Sequence, residues 1–501
     1  MSDRFVVILD AGSSKIRCYV FDHRGQQVLQ GSRDWQYIDP VSIPNFAQEL
    51  DINRVWSSIV DLISECVGND SVPVHDVAAV AVTGQRQGIV FIDDAEREIY
   101  AGPNTDLRAV FEGGAIDEEY SDLVYQTTGK LPSFLFSMAK LQWFKNHQPD
   151  KYVQIKSVIT LPDWLRLKLS GELSSEYTLA AEAGLLDIRK RDWCTELSTK
   201  LDLPVNTDVP LTTAGTISGY LSRKVSKQTN LPQGTPVVVT GADTQTALLG
   251  LGINPGAQLG IIAGWSIPIM TVTDRPILDI NKRTWTGCYL DENQWTLEST
   301  CGDAGNAYDY FSNLLWPHVS DPFSMMDKSA SNSPIGSEGG LAFLGPTKMD
   351  MSRVGMQSGG FIFPVPITFG GIDRQHLTRS VLEGISYSVR SNIDQLEDIY
   401  GYPVKRIAVG GGMAKTKQWI EILTNVIGRS IEIDISNNPT ANGAYLTAVT
   451  ALGDFNSLTD KSNHEIFDME TIEPDQSQIA QYYDLYQQWS ELGLQLRSIR
   501  I

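Results

Sequence analysis

Val237-Val-Val-Thr-Gly-Ala-Asp-Thr-Gln-Thr-Ala-Leu-Leu-Gly250 is the stretch from which the architecture can be read. Four β-branched residues open it, as in a buried strand, and Gly241 breaks the run. One carboxylate, Asp243, follows, and then a run of small residues compatible with a helix. Proteins that alternate strands and helices collect their chemistry at the carboxyl ends of the strands. A lone aspartate there serves either as a helix N-cap or as a catalytic group, and only the rest of the chain decides between the two.

The same pattern opens the chain. Phe5-Val-Val-Ile-Leu9 reads as a buried strand ending at Asp10, Ala11-Gly-Ser-Ser14 as a tight turn, and Ile16 to Phe21 as a second strand. His23-Arg-Gly25 turns into Gln27-Val-Leu29, which completes a meander. The first turn sets Gly12, Ser13 and Ser14 beside one carboxylate. Exposed amides and hydroxyls in such a loop suit phosphate oxygens, with Asp10 placed to hold a cation. An ordinary Asp-Gly hairpin turn has the same composition.

Further on, Asn53 to Cys66 has apolar residues at helical spacing, and Val77 to Val82 is another buried strand. It ends in Thr83-Gly-Gln-Arg-Gln-Gly88, where Gln85, Arg86 and Gln87 offer donors and acceptors suited to a hydroxyl-rich ligand. A solvated hairpin tip is the alternative. Asn104-Thr-Asp-Leu-Arg108 adds a carboxylate and a guanidinium. Leu161 to Gly171 reads as a short capped helix with Asp163 near its start, assigned to packing. Asp187 to Leu203 is expected to be helical, and Pro204 to Ile217 irregular.

In the second half, Gln258 to Ile262 is a strand that ends in Ala263-Gly-Trp-Ser266, and Ile267 to Val272 resumes the apolar run. Ala330 to Gly340 reads as a Ser- and Gly-rich loop, and His376 to Asp398 as a long helix. Arg406-Ile-Ala-Val409 runs into Gly410-Gly-Gly412 and a helix from about Lys415 to Ile427. That unit lets a nucleotide approach the backbone. Glu432 and Asp434 follow about twenty residues later, but Lys415 stands where a dinucleotide fingerprint needs its third glycine, which disfavours a dehydrogenase. Ser430 to Asp434 is a strand, Ala441 to Leu452 a helix, and a helical tail begins near Ser477.

Bulk properties narrow the classes. A length of 501 residues suits two large domains, and 42% hydrophobic with 20% charged residues is the composition of a globular protein. A formal net charge of −20 argues against nucleic acid or an anionic membrane surface as a partner. Five scattered cysteines without a Cys-x-x-Cys, and six histidines without ligand spacing, read as reduced thiols and no zinc site. The start of the chain lacks the features of a signal peptide, and no run approaches the roughly 18 apolar residues of a membrane span. A cytoplasmic protein is expected.

Taken in order, these pieces resemble the FGGY family of carbohydrate kinases over essentially the whole chain. Asp10 to Asp22 resembles the family's first phosphate motif, and Arg86 to Val90 with Asn104 to Arg108 its sugar-binding loops. Gly241 to Gln245 resembles the segment with the catalytic base, and Gly264-Trp-Ser266 the second phosphate motif. Gly371 to Gly384 is similar to a compressed C-terminal signature, and Gly410 to Trp419 to the adenosine motif.

The resemblance implies an α/β fold of two actin-like (ribonuclease-H-like) ATPase domains with an interdomain cleft. Residues 1–245 would form the sugar-binding domain and 246–501 the ATP-binding one. Asp243 would be the general base, with Gln85, Arg86, Gln87, Asp106 and Asp243 around the substrate. ATP would meet Gly12, Ser13, Ser14 and Lys15 on one side, and Gly264, Trp265, Ser266, Gly411, Gly412 and Thr416 on the other. Asp10 would hold Mg²⁺. The partner is a small-molecule sugar or polyol, with no membrane and no nucleic acid, and a homodimer is compatible with the family.

Four departures from the family pattern stand out. Lys15 replaces a small hydroxyl residue, Trp265 a threonine, Asn425 an aspartate and Asn438 a glutamate. Trp265 removes a hydroxyl beside the phosphates and opens an alternative, a sugar- or nucleotide-binding regulator with weakened catalysis. A chaperone-like ATPase would leave the polar loops at 85–87 and 104–108 without purpose. The Arg86-Gln-Gly loop and the Asn-x-Asp-x-Arg pattern resemble the autoinducer-2 kinase branch, whereas xylulokinases are similar over the whole length. A short-chain ketose or polyol is therefore expected as acceptor.

Overall fold

A computed structural model describes residues 4–40, 46–68, 70–204, 208–345, 347–353, 355, 357–366, 371–459 and 467–496. Positions 205–207 of the stretch expected to be irregular lie outside the described residues. The chain folds as two units. The first comprises Met1–Asn254, Thr273–Thr296 and Thr440–Phe467, and the second Pro255–Val272, Leu297–Pro439 and Asp468–Ile501.

The first unit is built on β1 (Phe5–Ala11), β2 (Lys15–Phe21) and β3 (Gln27–Asp34), an antiparallel meander. Helix α1 (Ile52–Cys66) packs on β2 and β3. Asp51 caps it by accepting from the N–H groups of Asn53 and Arg54, and Val55, Ile59, Leu62 and Ile63 form its buried face. Strand β4 (Val77–Gly84) pairs parallel with β1. Strands β5 (Ile89–Ile92), β6 (Glu98–Gly102) and β7 (Ser157–Thr160) form a separate small sheet. Helix α2 (Val110–Thr128) follows the 104–108 loop. Helix α3 (Leu161–Ser170) has Thr160 as N-cap and Gly171, in the left-handed region, as C-cap.

Helix α4 (Tyr177–Glu182) and strand β8 (Ile217–Tyr220) lead to β9 (Pro236–Ala242) and α5 (Asp243–Gly250). The sheet order is β8-β9-β4-β1-β2-β3, with β9 parallel to β4 and β8 antiparallel to β9. Small residues on α5 have a packing reason. A β-carbon on Gly443, in the helix Pro439–Ala451, would lie 1.8 Å from the Thr246 carbonyl oxygen, so the two helices touch backbone to backbone.

The second unit repeats this design. Its strands are β10 (Gln258–Ile262), β11 (Pro268–Thr273) and β12 (Trp295–Thr300), followed by helices α6 (Ala304–Leu315) and α7 (Arg374–Tyr400). Then come β13 (Arg406–Gly410), α8 (Lys417–Ile427), β14 (Ile431–Asp434), β15 (Met469–Ile472) and α9 (Ile479–Leu496). Six strands of its sheet run β12-β11-β10-β13-β14-β15. Strand β10 is antiparallel to β11 and parallel to β13, β13 is parallel to β14, and β15 closes antiparallel. Both sheets thus carry three parallel strands beside an antiparallel set.

Two local expectations change. Asp187 to Leu203 is not one helix. Asp187 accepts from the N–H groups of Arg189 and Lys190, which folds a turn, and only Thr195–Lys200 is helical. Of the 330–340 loop, Ala330 and Ser331 end a helix begun at Pro322. All five cysteines are free and buried. No helix among the described residues is long and apolar enough to cross a membrane.

Candidate functional site

The end of β9 is fixed by three hydroxyls. Thr83 Oγ1 donates to the Gly241 carbonyl at 2.7 Å, and the Ala242 N–H donates to Thr178 Oγ1 at 2.8 Å. Thr440 Oγ1 reaches the Asp243 carbonyl at 3.3 Å. Glu176 steadies Thr178, accepting from its N–H at 2.8 Å and from its hydroxyl at 2.5 Å. Asp243 is the first residue of α5, and the N-cap position belongs to Ala242. Its carboxylate accepts from the adjacent Thr244 N–H at 2.8 Å. Burial pushes this carboxyl up to about 7; Arg86 and the Thr244 N–H oppose the rise, while Asp10 and Glu182 reinforce it. A carboxyl poised there exchanges a proton near neutral pH.

Glu182, at the end of α4, organises the groups around Asp243. It is almost fully buried. Its Oε1 pairs with Lys130 Nζ, accepts from Gln245 Nε2 at 3.2 Å and lies 3.9 Å from Arg86 Nη1. Its Oε2 accepts from Gln87 Nε2 at 2.5 Å. Burial alone would raise this carboxyl, but Lys130 and Arg86 outweigh it and hold it below the usual range. The Trp285 ring closes the cluster, 5.5 Å below the Arg86 guanidinium and 5.9 Å from Lys130 Nζ. The 85–88 loop is therefore no solvated tip. Gln87 holds its place with φ at 56°, and Gln85 is fully buried.

The turn after β1 is held by its carbonyls. Trp35 Nε1 donates to Gly12 O at 2.7 Å and Gln85 Nε2 to the same oxygen at 3.2 Å, while the Trp35 N–H donates to Ser14 O at 3.0 Å. Tyr37 donates to Ser13 O. Asn104 Nδ2 donates to Ser13 Oγ at 2.8 Å, and its N–H to Gln85 Oε1 at 2.9 Å. Gln85 thus spends both ends of its amide joining the 12–14 turn to the 104–108 loop. Lys15 pairs with Asp34 across the hairpin at 3.2 Å.

Asp10 is buried, and Arg17 Nη1 stands 3.3 Å from its Oδ2. Burial raises its carboxyl, and Arg17 opposes that. Its Oδ1 is buried and has no hydrogen-bond partner among the described residues. An orphaned carboxylate oxygen beside a turn of small residues fits Mg²⁺, which takes one or two carboxylates together with phosphate oxygens. Among the described residues no group of three or more His, Cys, Asp or Glu is arranged to hold a metal.

Asp106 has 0% exposure and accepts three hydrogen bonds from within the first unit. Its Oδ1 accepts from the Gln48 N–H at 3.1 Å; its Oδ2 accepts from Tyr100 and, at 2.8 Å, from Arg108 Nε. It clamps the loop from inside. Asp163 is likewise buried, joined to Arg166, Thr160 and Ser175.

In the second unit two glycine turns meet. Gly411 has φ at 109°, and a β-carbon on it would lie 2.7 Å from the Ala263 carbonyl oxygen. Ala263 N–H donates to Gly410 O at 2.7 Å, and Met413 N–H to Ala263 O at 3.0 Å. The start of α6 presses on the other turn: a β-carbon on Gly305 would lie 2.0 Å from Gly264 O, and the Asn306 N–H donates to Trp265 O at 3.1 Å. These bonds fix Gly264 to Ser266 and leave the Trp265 side chain 46% exposed. Gly412 opens a single helical turn, and Thr416 precedes α8 as its N-cap. Asn425 is buried between the Asp475 N–H and Gln478.

Residues 5–250 match the N-terminal domain of the FGGY family of carbohydrate kinases, and residues 259–452 its C-terminal domain. The chain belongs to the FGGY family of carbohydrate kinases. It is a phosphotransferase with a sugar hydroxyl as acceptor, of a family that uses ATP as donor. This kinase is 26% identical over 510 residues to an autoinducer-2 kinase of Salmonella paratyphi B, covering 99% of this chain and 96% of the relative. Its fold is that of a xylulose kinase from Rhodospirillum rubrum (TM-score 0.85, 22% identity, 99% of each chain). A gluconate kinase from Lactobacillus acidophilus is as similar in fold (TM-score 0.87, 17% identity, 99% of each chain).

Within the first unit of the kinase, Arg86 and Gln87 meet at Glu182, and Arg86 and Asp10 are near enough to act on Asp243. Gln85 and Asp106 lie behind them as supports. Sequence reading missed Glu182, Lys130, Arg17 and Trp285. The one signal for Glu182 is a charge set alone among small residues, Ala180-Ala-Glu-Ala-Gly184.

Proposed function

We propose that this kinase transfers the γ-phosphoryl group of ATP to a hydroxyl of a short-chain ketose or polyol, with Asp243 as general base. The observation that carries the reading is Asp243 itself. Its carboxyl directly follows a strand, caps no helix, is raised to about 7 by burial, and is acted on by Arg86 and Glu182. Asp243 takes the proton of the acceptor hydroxyl as that oxygen bonds to the γ-phosphorus. The bond to the bridging oxygen breaks, and ADP leaves with the electron pair. Arg86 and Gln87 orient the acceptor, while Gln85 and Asp106 keep their loops in place.

The amides of the 12–14 turn, whose carbonyls are tied inward, are suited to phosphate oxygens. On the second unit, Gly264 to Ser266, Gly411, Gly412 and Thr416 would receive the nucleotide. Asp10 would hold Mg²⁺, which supplies neutralisation of phosphate charge when bound. Full-length similarity to an autoinducer-2 kinase supports a linear polyhydroxy ketone, and the fold shared with xylulose kinase supports a pentulose. A coupled ADP-release screen over pentuloses, hexuloses, glycerol, erythritol and the autoinducer-2 precursor tests this. One short-chain acceptor should stimulate ADP release far above the rate without sugar. Equal release with and without every sugar would refute the proposal.

A further inference from the structure

Asp243 and Glu182 are two carboxylates within the electrostatic reach of one guanidinium, Arg86. Arg86 Nη1 stands 3.9 Å from Glu182 Oε1, and the same cation acts on Asp243. Glu182 is kept charged by Lys130, which pairs with the same Oε1. It is also tied to the first turn of α5: Gln245 Nε2 donates to Glu182 Oε1 at 3.2 Å, Thr244 Oγ1 donates to Gln245 Oε1 at 2.7 Å, and the Thr244 N–H donates to Asp243 Oδ1 at 2.8 Å. A continuous run of hydrogen bonds therefore leads from Glu182 to the carboxylate two residues before Gln245.

We propose that Glu182 is a positioning residue for phosphoryl transfer: it draws part of the Arg86 charge away from Asp243 and anchors the turn that carries Asp243. The inference rests on the reading of Asp243 as the base. A base fully paired with a guanidinium would stay ionised but lose its affinity for the incoming proton. Glu182 prevents that by offering Arg86 a second, permanently charged partner. The charged groups that face Asp243 are Arg86 from the loop after β4, Asp10 from β1, Glu182 from α4 and Arg17 from β2. Removing the Glu182 charge takes a carboxylate partner from Arg86, and it removes one like charge from the neighbourhood of Asp243. Both changes stabilise the Asp243 carboxylate.

The experiment compares Glu182→Gln, which keeps the shape and one acceptor oxygen but loses the charge, with Glu182→Asp, which keeps the charge. With the best acceptor of the screen, the acid limb of kcat/KM should move down by about one pH unit in Glu182→Gln and stay in place in Glu182→Asp. Carbon-13 NMR of aspartate-labelled protein, with Asp243→Asn identifying the resonance, should show the same shift without any substrate. A folded Glu182→Gln protein whose activity falls evenly at all pH values, with an unmoved Asp243 titration, overturns the inference. If Glu182→Gln does not fold, Lys130→Met reads the same quantity, because it removes the larger of the two charges that keep the buried Glu182 ionised; an unmoved limb there has the same force. Full activity of Asp243→Asn would instead sink the base itself, and so separates the two failures.

Discussion

The carbonyl oxygen of Ala11 stands 2.5 Å from the point where a β-carbon on Gly84 would lie. The ends of β1 and β4 therefore meet backbone to backbone, and the turn at 12–14 is brought against the loop at 85–87. The same device occurs in the second unit, where Gly411 meets Ala263. Gly84→Ala should cost about 1–3 kcal/mol of stability from overpacking. It should also depress kcat, because the obstruction lies in rigid backbone between Asp10 and Arg86. Thermal unfolding and steady-state kinetics measure the two effects; an alanine accepted without loss of either would show that the strand ends are free to part.

Asp243 sets the pH response. Activity should rise with pH along a limb centred near 7, where its carboxyl loses its proton. Stability should run the other way. Between the ordinary value of 3.8 and about 7 the folded state binds more protons than the unfolded chain, so stability falls as pH rises through that window and is level above it. Asp243→Asn should then melt a few degrees higher than the natural protein at pH 8, at about 2–4 °C per kcal/mol, and equally at pH 4. Calorimetry at the two pH values checks the sign.

Lys140 is a second buried charge, with no exposure and one hydrogen bond, to the Leu135 carbonyl at 3.3 Å. Burial lowers its ammonium to about 8, with Arg108 adding to the effect and Asp106 opposing it. The folded state releases this proton more readily than the unfolded chain, so the cost of holding it is full below pH 8 and vanishes as pH rises past 10.5. Lys140→Met should raise the melting temperature at pH 7 and leave kcat unchanged. A lower melting temperature would mean that the ammonium is stabilised in place.

Asp106→Asn separates support from substrate contact. With Tyr100, Arg108 and the Gln48 N–H all on this carboxylate, losing its charge should destabilise the kinase by about 3–5 kcal/mol and leave the acceptor KM of the folded protein unchanged. An unchanged melting temperature with a raised KM would put Asp106 on the acceptor.

Trp265→Thr restores a hydroxyl to the Gly264–Ser266 turn. One added hydrogen bond of about 1 kcal/mol should lower the KM for ATP about five-fold while the acceptor KM stays constant. An unaltered ATP KM would place the indole away from the nucleotide.

Strand-turn units were legible because each is local: β-branched runs ending in glycine and a small polar turn announce β1, β9, β10 and β13 without any tertiary knowledge. Family resemblance then ordered them. What stayed hidden depends on packing across distant segments. Glu182, Lys130 and Trp285 are far apart in the chain and carry no shared spacing, so their assembly around Arg86 has no sequence signature. Asp106 failed to declare its role for the opposite reason. Its motif looks alike whether the carboxylate faces a ligand or, as the hydrogen bonds here show, the protein interior. The helix expected over 187–203 gave way to an Asx turn whose strength rests on one side chain.

Trp265 has one more consequence. Of eleven tryptophans in the chain, it is the one whose ring stands exposed among the described residues, while Trp164, Trp419, Trp489 and others are enclosed. Acrylamide quenching of the intrinsic fluorescence therefore reports chiefly on this turn. The kinase carries a built-in optical sensor at the place where its nucleotide is proposed to bind, and a titration with ADP needs no label to be read.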